Sequence, residues 1–187
     1  TMVFNYGNGP NEGPQEYLIF DGLEINGKDL TNEQRRTGIA FEGDVKNLIF
    51  RNMETTRFNA DIFGNVGVKL ENVLFDSMVI HNSQGGQRQP EHGIYLNNPD
   101  FGEVHTDLVF KDSLFYQRNR HGMQLRPPYI NLKIVRNIFQ SNGLRGFEIK
   151  GSIQGSEISN NLFFNNGLMP LLINREDIHS PSGTNPT

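Results

Sequence analysis

His121-Gly122-Met123-Gln124-Leu125 and Arg145-Gly146-Phe147-Glu148-Ile149 stand 24 residues apart and share one pattern: a histidine or arginine, a glycine, then alternating residues. The glycine phrase also occurs at Gly38-Ile39-Ala40-Phe41 and Gly93-Ile94-Tyr95-Leu96, with degenerate copies at Ala60-Asp61-Ile62-Phe63 and Pro170-Leu171-Leu172-Ile173. Its last three intervals are 29, 24 and 24 residues, so one structural unit is repeated rather than a single core being wrapped.

Each copy has an upstream partner: Asp21-Gly22-Leu23, Arg51-Asn52-Met53, Asp76-Ser77-Met78, Asp112-Ser113-Leu114, Arg136-Asn137-Ile138 and Asn160-Asn161-Leu162. Four positions before the closing apolar residue of each motif stand Ile19, Ile49, Leu74, Phe110, Ile134 and Ile158, a column suited to the inward face of stacked strands. In the glycine phrase the inward columns read Ile39/Asp61/Ile94/Met123/Phe147/Leu171 and Phe41/Phe63/Leu96/Leu125/Ile149/Ile173. Asp61 is the misfit and marks a local register shift. Longer gaps place loop insertions at about 27–37 and 83–92. Asn52, Asn137 and Asn161, with Ser77 and Ser113 between them, are expected to form a side-chain ladder at one corner.

Short strands, polar corners and a period near 24 describe an all-β, single-stranded parallel β-helix of about six coils. Phrases such as Val135-Arg136-Asn137-Ile138-Phe139-Gln140-Ser141-Asn142-Gly143 and Ser159-Asn160-Asn161-Leu162-Phe163-Phe164-Asn165-Asn166-Gly167 resemble the right-handed parallel β-helix group that includes the pectin lyases. The expected organisation is a segment 1–16, a β-helix over 17–174 and a polar tail 175–187. A leucine-rich-repeat horseshoe would need a helix or its own consensus in every unit, and neither appears.

Composition agrees. The chain of 187 residues has 20 glycines, 14 phenylalanines and no cysteine, with a formal charge of −4. There is no apolar run long enough for a membrane span, no global basic excess for nucleic acid, and no thiolate metal site.

Two outer faces carry further information. In the first four units both sides of the opening strand are apolar, which predicts an outer stripe of Leu18, Leu48, Val73 and Val109. Either the N-terminal segment or an inserted loop covers it, or it is a contact in a homo-oligomer. On the second face, the residues before the glycine read Thr37, His92, His121, Arg145 and Met169 where the repeat is regular. Outward positions within the phrase give Tyr95, Gln124 and Glu148, followed by Asn97, Arg126 and Lys150. Stacking would gather these residues on one surface suited to an anionic polymer.

The chemistry they suggest is β-elimination or C5 epimerisation at a uronic acid, where the carboxylate must be neutralised before the adjacent C–H becomes acidic. The expected roles are His121 as base, Arg145 and Arg126 as carboxylate clamps, and Tyr95 or Lys150 as the second proton-transfer group. His92, Asn97, Gln124 and Glu148 complete the substrate-binding set.

The resemblance implies a carbohydrate-active protein, secreted or at the cell surface, acting as a lyase or epimerase on an acidic polysaccharide. His121 before its glycine, with Arg145 one coil later, resembles the alginate epimerases, although their Asp-Pro-His-Asp motif is absent. The paired aspartates and the Gly-His-Gly motif of the polygalacturonate hydrolases are absent too. No cofactor is implied; a calcium site would fall to Asp100, Glu103 and Asp107. The alternatives are a non-catalytic glycan-binding, adhesive or tail-spike-like β-helix, or a fragment of a larger β-helical protein.

Overall fold

The computed structural model describes residues 2–4, 18–28, 37–64, 68–82, 91–97 and 104–174. The strands stack in parallel into three sheets. Sheet 1 runs through Met2–Phe4, Thr37–Phe41, Ala60–Gly64, His92–Leu96, Met123–Leu125, Phe147–Ile149 and Leu171–Ile173. Sheet 2 holds Leu18–Asp21, Val45–Arg51, Leu70–Asp76 and His105–Lys111; from there each coil contributes two short strands, the last pair being Ile153–Gln154 and Glu157–Ser159. Sheet 3 comprises Glu24–Asn26, Glu54–Thr56, Val79–His81, Leu114–Tyr116, Ile138–Gln140 and Leu162–Phe164. Among the described residues there is no helix, and hence none long and apolar enough to cross a membrane.

Three bends shape each coil, and each is a residue in the left-handed region. One column is Asn47, Asn72, Asp107, Asn131 and Gly155; the second is Gly22, Asn52, Ser77, Asp112, Arg136 and Asn160; the third is Arg57, Asn82, Gln117, Ser141 and Asn165. Asparagine and aspartate dominate because their short polar side chains make this conformation less costly than most residues do. The repeated glycines serve another purpose. A Cβ on Gly122 would meet the Gly146 carbonyl oxygen at 2.6 Å, and one on Gly146 would meet the Phe163 ring at 2.6 Å, so the coils approach too closely there for a side chain.

Aromatic stacks fill the bore. Phe20, Phe50, Phe75 and Phe110 lie ring upon ring with centroid separations of 5.2, 5.2 and 4.8 Å, and Phe115, Phe139 and Phe163 form a second stack at 4.8 and 5.1 Å. Such pairs add about 0.5–1.5 kcal/mol each beyond the burial of their area. On the outside of sheet 2, the aligned residues Asp21, Arg51, Asp76 and Lys111 alternate in charge, with pairs of 2.8 Å at Arg51–Asp21 and Lys111–Asp76, so a slipped register would separate the opposite charges.

The register corrects several expectations. The inward column of sheet 2 is Phe20/Phe50/Phe75/Phe110/Ile134/Ile158, one residue later in the first three coils than the sequence alignment placed it. Leu18, Leu48 and Val73, expected on the outer stripe, therefore align in a column that faces the bore, where Leu48 and Val73 are each only 1% exposed. The outward apolar column is Ile19, Ile49, Leu74 and Val109, which gives way to Lys133 and Glu157. Two consecutive apolar residues per strand made either register plausible; the phenylalanine stack decides it.

In the second coil Ile62, not Asp61, pairs with Ile39 and Ile94, and Gly64, not Phe63, completes the next inward column. Asp61 thus occupies the glycine position. The asparagine ladder exists but omits Asn52 and Ser77, which sit at left-handed bends. Its members are Ser113, Asn137 and Asn161: the Ser113 amide donates to Asn137 Oδ1 at 3.1 Å, and the Asn137 amide to Asn161 Oδ1 at 2.9 Å. A second ladder runs through Asn142 and Asn166, where the Asn142 amide donates to Asn166 Oδ1 at 3.1 Å. The inserted segments fall mostly, and the tail 175–187 wholly, outside the described residues. Of the segment 1–16, Met2–Phe4 are described and pair with Ile39–Phe41 at the edge of sheet 1.

Candidate functional site

The register of sheet 1 brings the expected residues together. His92 pairs with Ala60, which fills the undefined place in the column before the glycine, and Tyr95, Gln124 and Glu148 align across three successive coils. The His92 and His121 rings stack at 4.9 Å with 13° between their planes, and His92 also stacks on Tyr95 at 5.0 Å. Phe63 extends the aromatic row, 5.7 Å from Tyr95.

Glu148 is the hub. Its carboxylate accepts a hydrogen bond from Gln124 Nε2, pairs with Arg145 Nη1 at 3.3 Å and lies 3.7 Å from His121 Nε2. Arg145 is therefore already engaged by a carboxylate of the protein, which tempers its expected role as a free clamp. Arg126 Nη1 donates to Tyr95 Oη at 3.4 Å and to Asn97 Oδ1 at 3.5 Å. Lys150 follows on the next coil, half-buried like Arg126 and Tyr95.

The centre is enclosed. His92 is 1% exposed, His121 3% and Glu148 3%. The expected surface is thus a buried imidazole and carboxylate cluster with a rim of half-buried Tyr95, Asn97, Arg126, Arg145 and Lys150. Burial lowers the pKa of His92 to about 2, aided by the nearby His121 and Arg120, and that of His121 to about 4, where Glu148 pulls upward and Arg145 opposes it. Both imidazoles are neutral at pH 7. Among the described residues, the Nδ1 atoms of His92 and His121 have no hydrogen-bond partner.

These shifts have a consequence for stability. A third histidine, His105, accepts a hydrogen bond from the Leu70 amide at Nδ1 (2.9 Å), and burial lowers its pKa to about 3. All three bind protons more readily unfolded than folded, so stability is lost as pH falls below the unfolded value near 6.5 towards the folded ones. Burial raises Asp61 to about 8 against the pull of Arg118, so it works in the opposite sense and offsets at most one proton. Near pH 5, where the unfolded histidines are protonated and the folded ones are not, the unfolding free energy should drop most steeply, by about 2–3 kcal/mol per pH unit, with a shallower slope towards pH 6.5 and below pH 4. Urea unfolding at several pH values checks this, and a flat profile would contradict it.

The repeat spacing assigns no role to two buried polar residues. Asp61 and Arg118 are fully buried, with Arg118 Nη1 at 2.5 Å from Asp61 Oδ2. Asp61 had announced itself as a misfit in an apolar column. Arg118 had a quieter signal, since its amide donates to Asn142 Oδ1 and it occupies the place that asparagine holds in the following two coils. Of the expected calcium set, Asp100 and Glu103 lie outside the described residues, while Asp107 accepts a hydrogen bond from Asn131 Nδ2 at 3.0 Å. Among the described residues no group of three or more His, Cys, Asp or Glu side chains could hold a metal ion.

Three parallel sheets wound as successive coils, with asparagine ladders at the corners, define a parallel β-helix. The family profile described as right-handed beta helix region matches residues 14–163, and the chain belongs to that family. No curated protein matches it.

Proposed function

We propose that this β-helix is carbohydrate-active, acting outside the cell or at its surface as a lyase or C5-epimerase on an acidic, uronic-acid-containing polysaccharide. The observation that carries the reading is the alignment of Tyr95 and Glu148 in sheet 1, with His121, Arg145, Arg126 and Lys150 flanking its strands, across three consecutive coils.

Arg126 and Lys150 on the rim meet the sugar carboxylate, lowering the cost of negative charge as the C5 proton departs. His121 is neutral at pH 7 and accepts that proton, while Glu148 steadies the resulting imidazolium from 3.7 Å. In elimination the C5–H electrons form the C4–C5 double bond and the C4–O bond breaks, with Tyr95 or Lys150 protonating the departing oxygen. In epimerisation the same group returns a proton to the opposite face. Tyr95, half-buried on the rim and held by Arg126, gives the sugar ring an adjacent flat surface.

Incubation with alginate, pectate and glycosaminoglycans, followed by product absorbance, sizing and NMR, tests the reading. Product should form, and His121→Ala should reduce the rate by about 10²–10⁴-fold. With His121 as base, the acid limb of the rate should fall only as pH drops through about 4, the value burial gives it. Unchanged rates in His121→Ala and Arg145→Ala would overturn the site. Saturable binding without product would favour the glycan-binding alternative, for which the enclosure of His92, His121 and Glu148 speaks.

A further inference from the structure

Arg118 lies inside the coil stack, on the corner between sheets 3 and 1, and its side chain is fully buried. Its Nη1 donates to the His81 carbonyl at 3.2 Å; its Nη2 donates to the carbonyls of His92 at 2.8 Å, Phe58 at 2.9 Å and Asn59 at 3.3 Å. Asp61 Oδ2 completes the shell at 2.5 Å from Nη1. One guanidinium thus gathers backbone from two preceding coils, where a simple asparagine rung in later coils reaches only its neighbour.

The carbonyl it holds at the shortest of these distances belongs to His92, the first residue of its sheet 1 strand. His92 carries the ring that covers His121, and the Gly93 amide donates to the His121 carbonyl at 3.0 Å. Backbone and ring of His92 therefore both bear on His121. A buried arginine is well suited to this duty, because its planar fork directs several donors at once and it stays charged.

We propose that Arg118, anchored by Asp61, is a positioning residue of the sheet 1 site, fixing the His92 backbone and through it the stacked imidazole pair. This inference rests on the proposed function for its catalytic meaning, but the placement of the imidazoles can be read without any substrate. A full cation inside the stack also disfavours a charge on His92, reinforcing the effect of burial. Arg118 touches no substrate; it acts through His92.

Removing Arg118 alone endangers the fold, so the deciding variant replaces the pair: Asp61→Asn with Arg118→Met, which leaves no unpaired buried charge. Histidine ring resonances of the full chain are followed by NMR from pH 7 downwards, beside the parent and Arg118→Lys. The expected result is a folded double variant in which the His92 and His121 ring signals move and the His121 midpoint rises from about 4 by about one unit or more, as the loosened stack admits water. Arg118→Lys, which retains the charge but not the fork, should fall between. A folded double variant with unchanged His92 and His121 signals and midpoint would overturn the proposal. Where turnover is detected, kcat should fall about tenfold with KM little changed; absence of turnover on every polysaccharide would count against the proposed function, while the ring signals still decide the role of Arg118.

Discussion

Arg118→Met should lower the unfolding free energy by about 3–5 kcal/mol, the usual cost of removing one partner of a buried ion pair. The size follows from what the guanidinium leaves behind. Carbonyls of Phe58, Asn59, His81 and His92 lose a donor inside the stack, and the fully buried Asp61 loses its cation. Asp61, whose carboxyl burial raises to about 8 even beside Arg118, keeps its proton to higher pH once the guanidinium is gone, which relieves part of the penalty. The loss should therefore be smaller at mildly acidic pH than at pH 8, once the histidine contribution is removed by comparison with the parent. Chemical denaturation of both proteins at the two pH values measures it. A cost below about 1 kcal/mol at pH 8 would show that the pair contributes little to the fold.

Phe75→Ala should cost about 3–5 kcal/mol, as large aromatic-to-alanine changes in a close-packed core do. Phe75 lies between Phe50 at 5.2 Å and Phe110 at 4.8 Å, and meets the edge of Phe41 at 6.5 Å. Consecutive coils are hydrogen-bonded through Val73–Asp76 on both sides, so the backbone cannot collapse into the cavity. Leu162→Ala, on the exposed outer face of the last sheet 3 strand, should stay within about 0.5 kcal/mol of the parent. Equal effects at the two positions would contradict the assignment of the phenylalanine stack as the main core.

The regular coils were legible because spacing alone carries them. Gly93, Gly122 and Gly146 stand where coils approach too closely for a Cβ, and the columns anchored on them came out in the register that their spacing implied. Sheet 2 was harder to read, because Leu48-Ile49-Phe50 and Val73-Leu74-Phe75 are apolar on both faces and no alternation distinguishes inside from outside. Only pairing with Leu108-Val109-Phe110 selects the phenylalanines. The membership of the site face was readable from the same spacing, but its enclosure was not. Nothing local in the sequence says that His121 and Glu148 are buried, or that Glu148 already holds Arg145. Arg118 was the hardest to foresee, because the partners of its guanidinium lie between 26 and 60 residues away in the chain.

The central claim is that the His121–Glu148–Arg145 face of sheet 1 receives a uronate chain. Titration of the isotopically labelled protein with oligouronates, read residue by residue in NMR spectra, tests it most directly. The account predicts saturable shifts concentrated at Tyr95, Asn97, His121, Arg126, Arg145 and Lys150, weakening as salt is added. Shifts confined to sheet 2 or sheet 3, or none with any uronate, would contradict it.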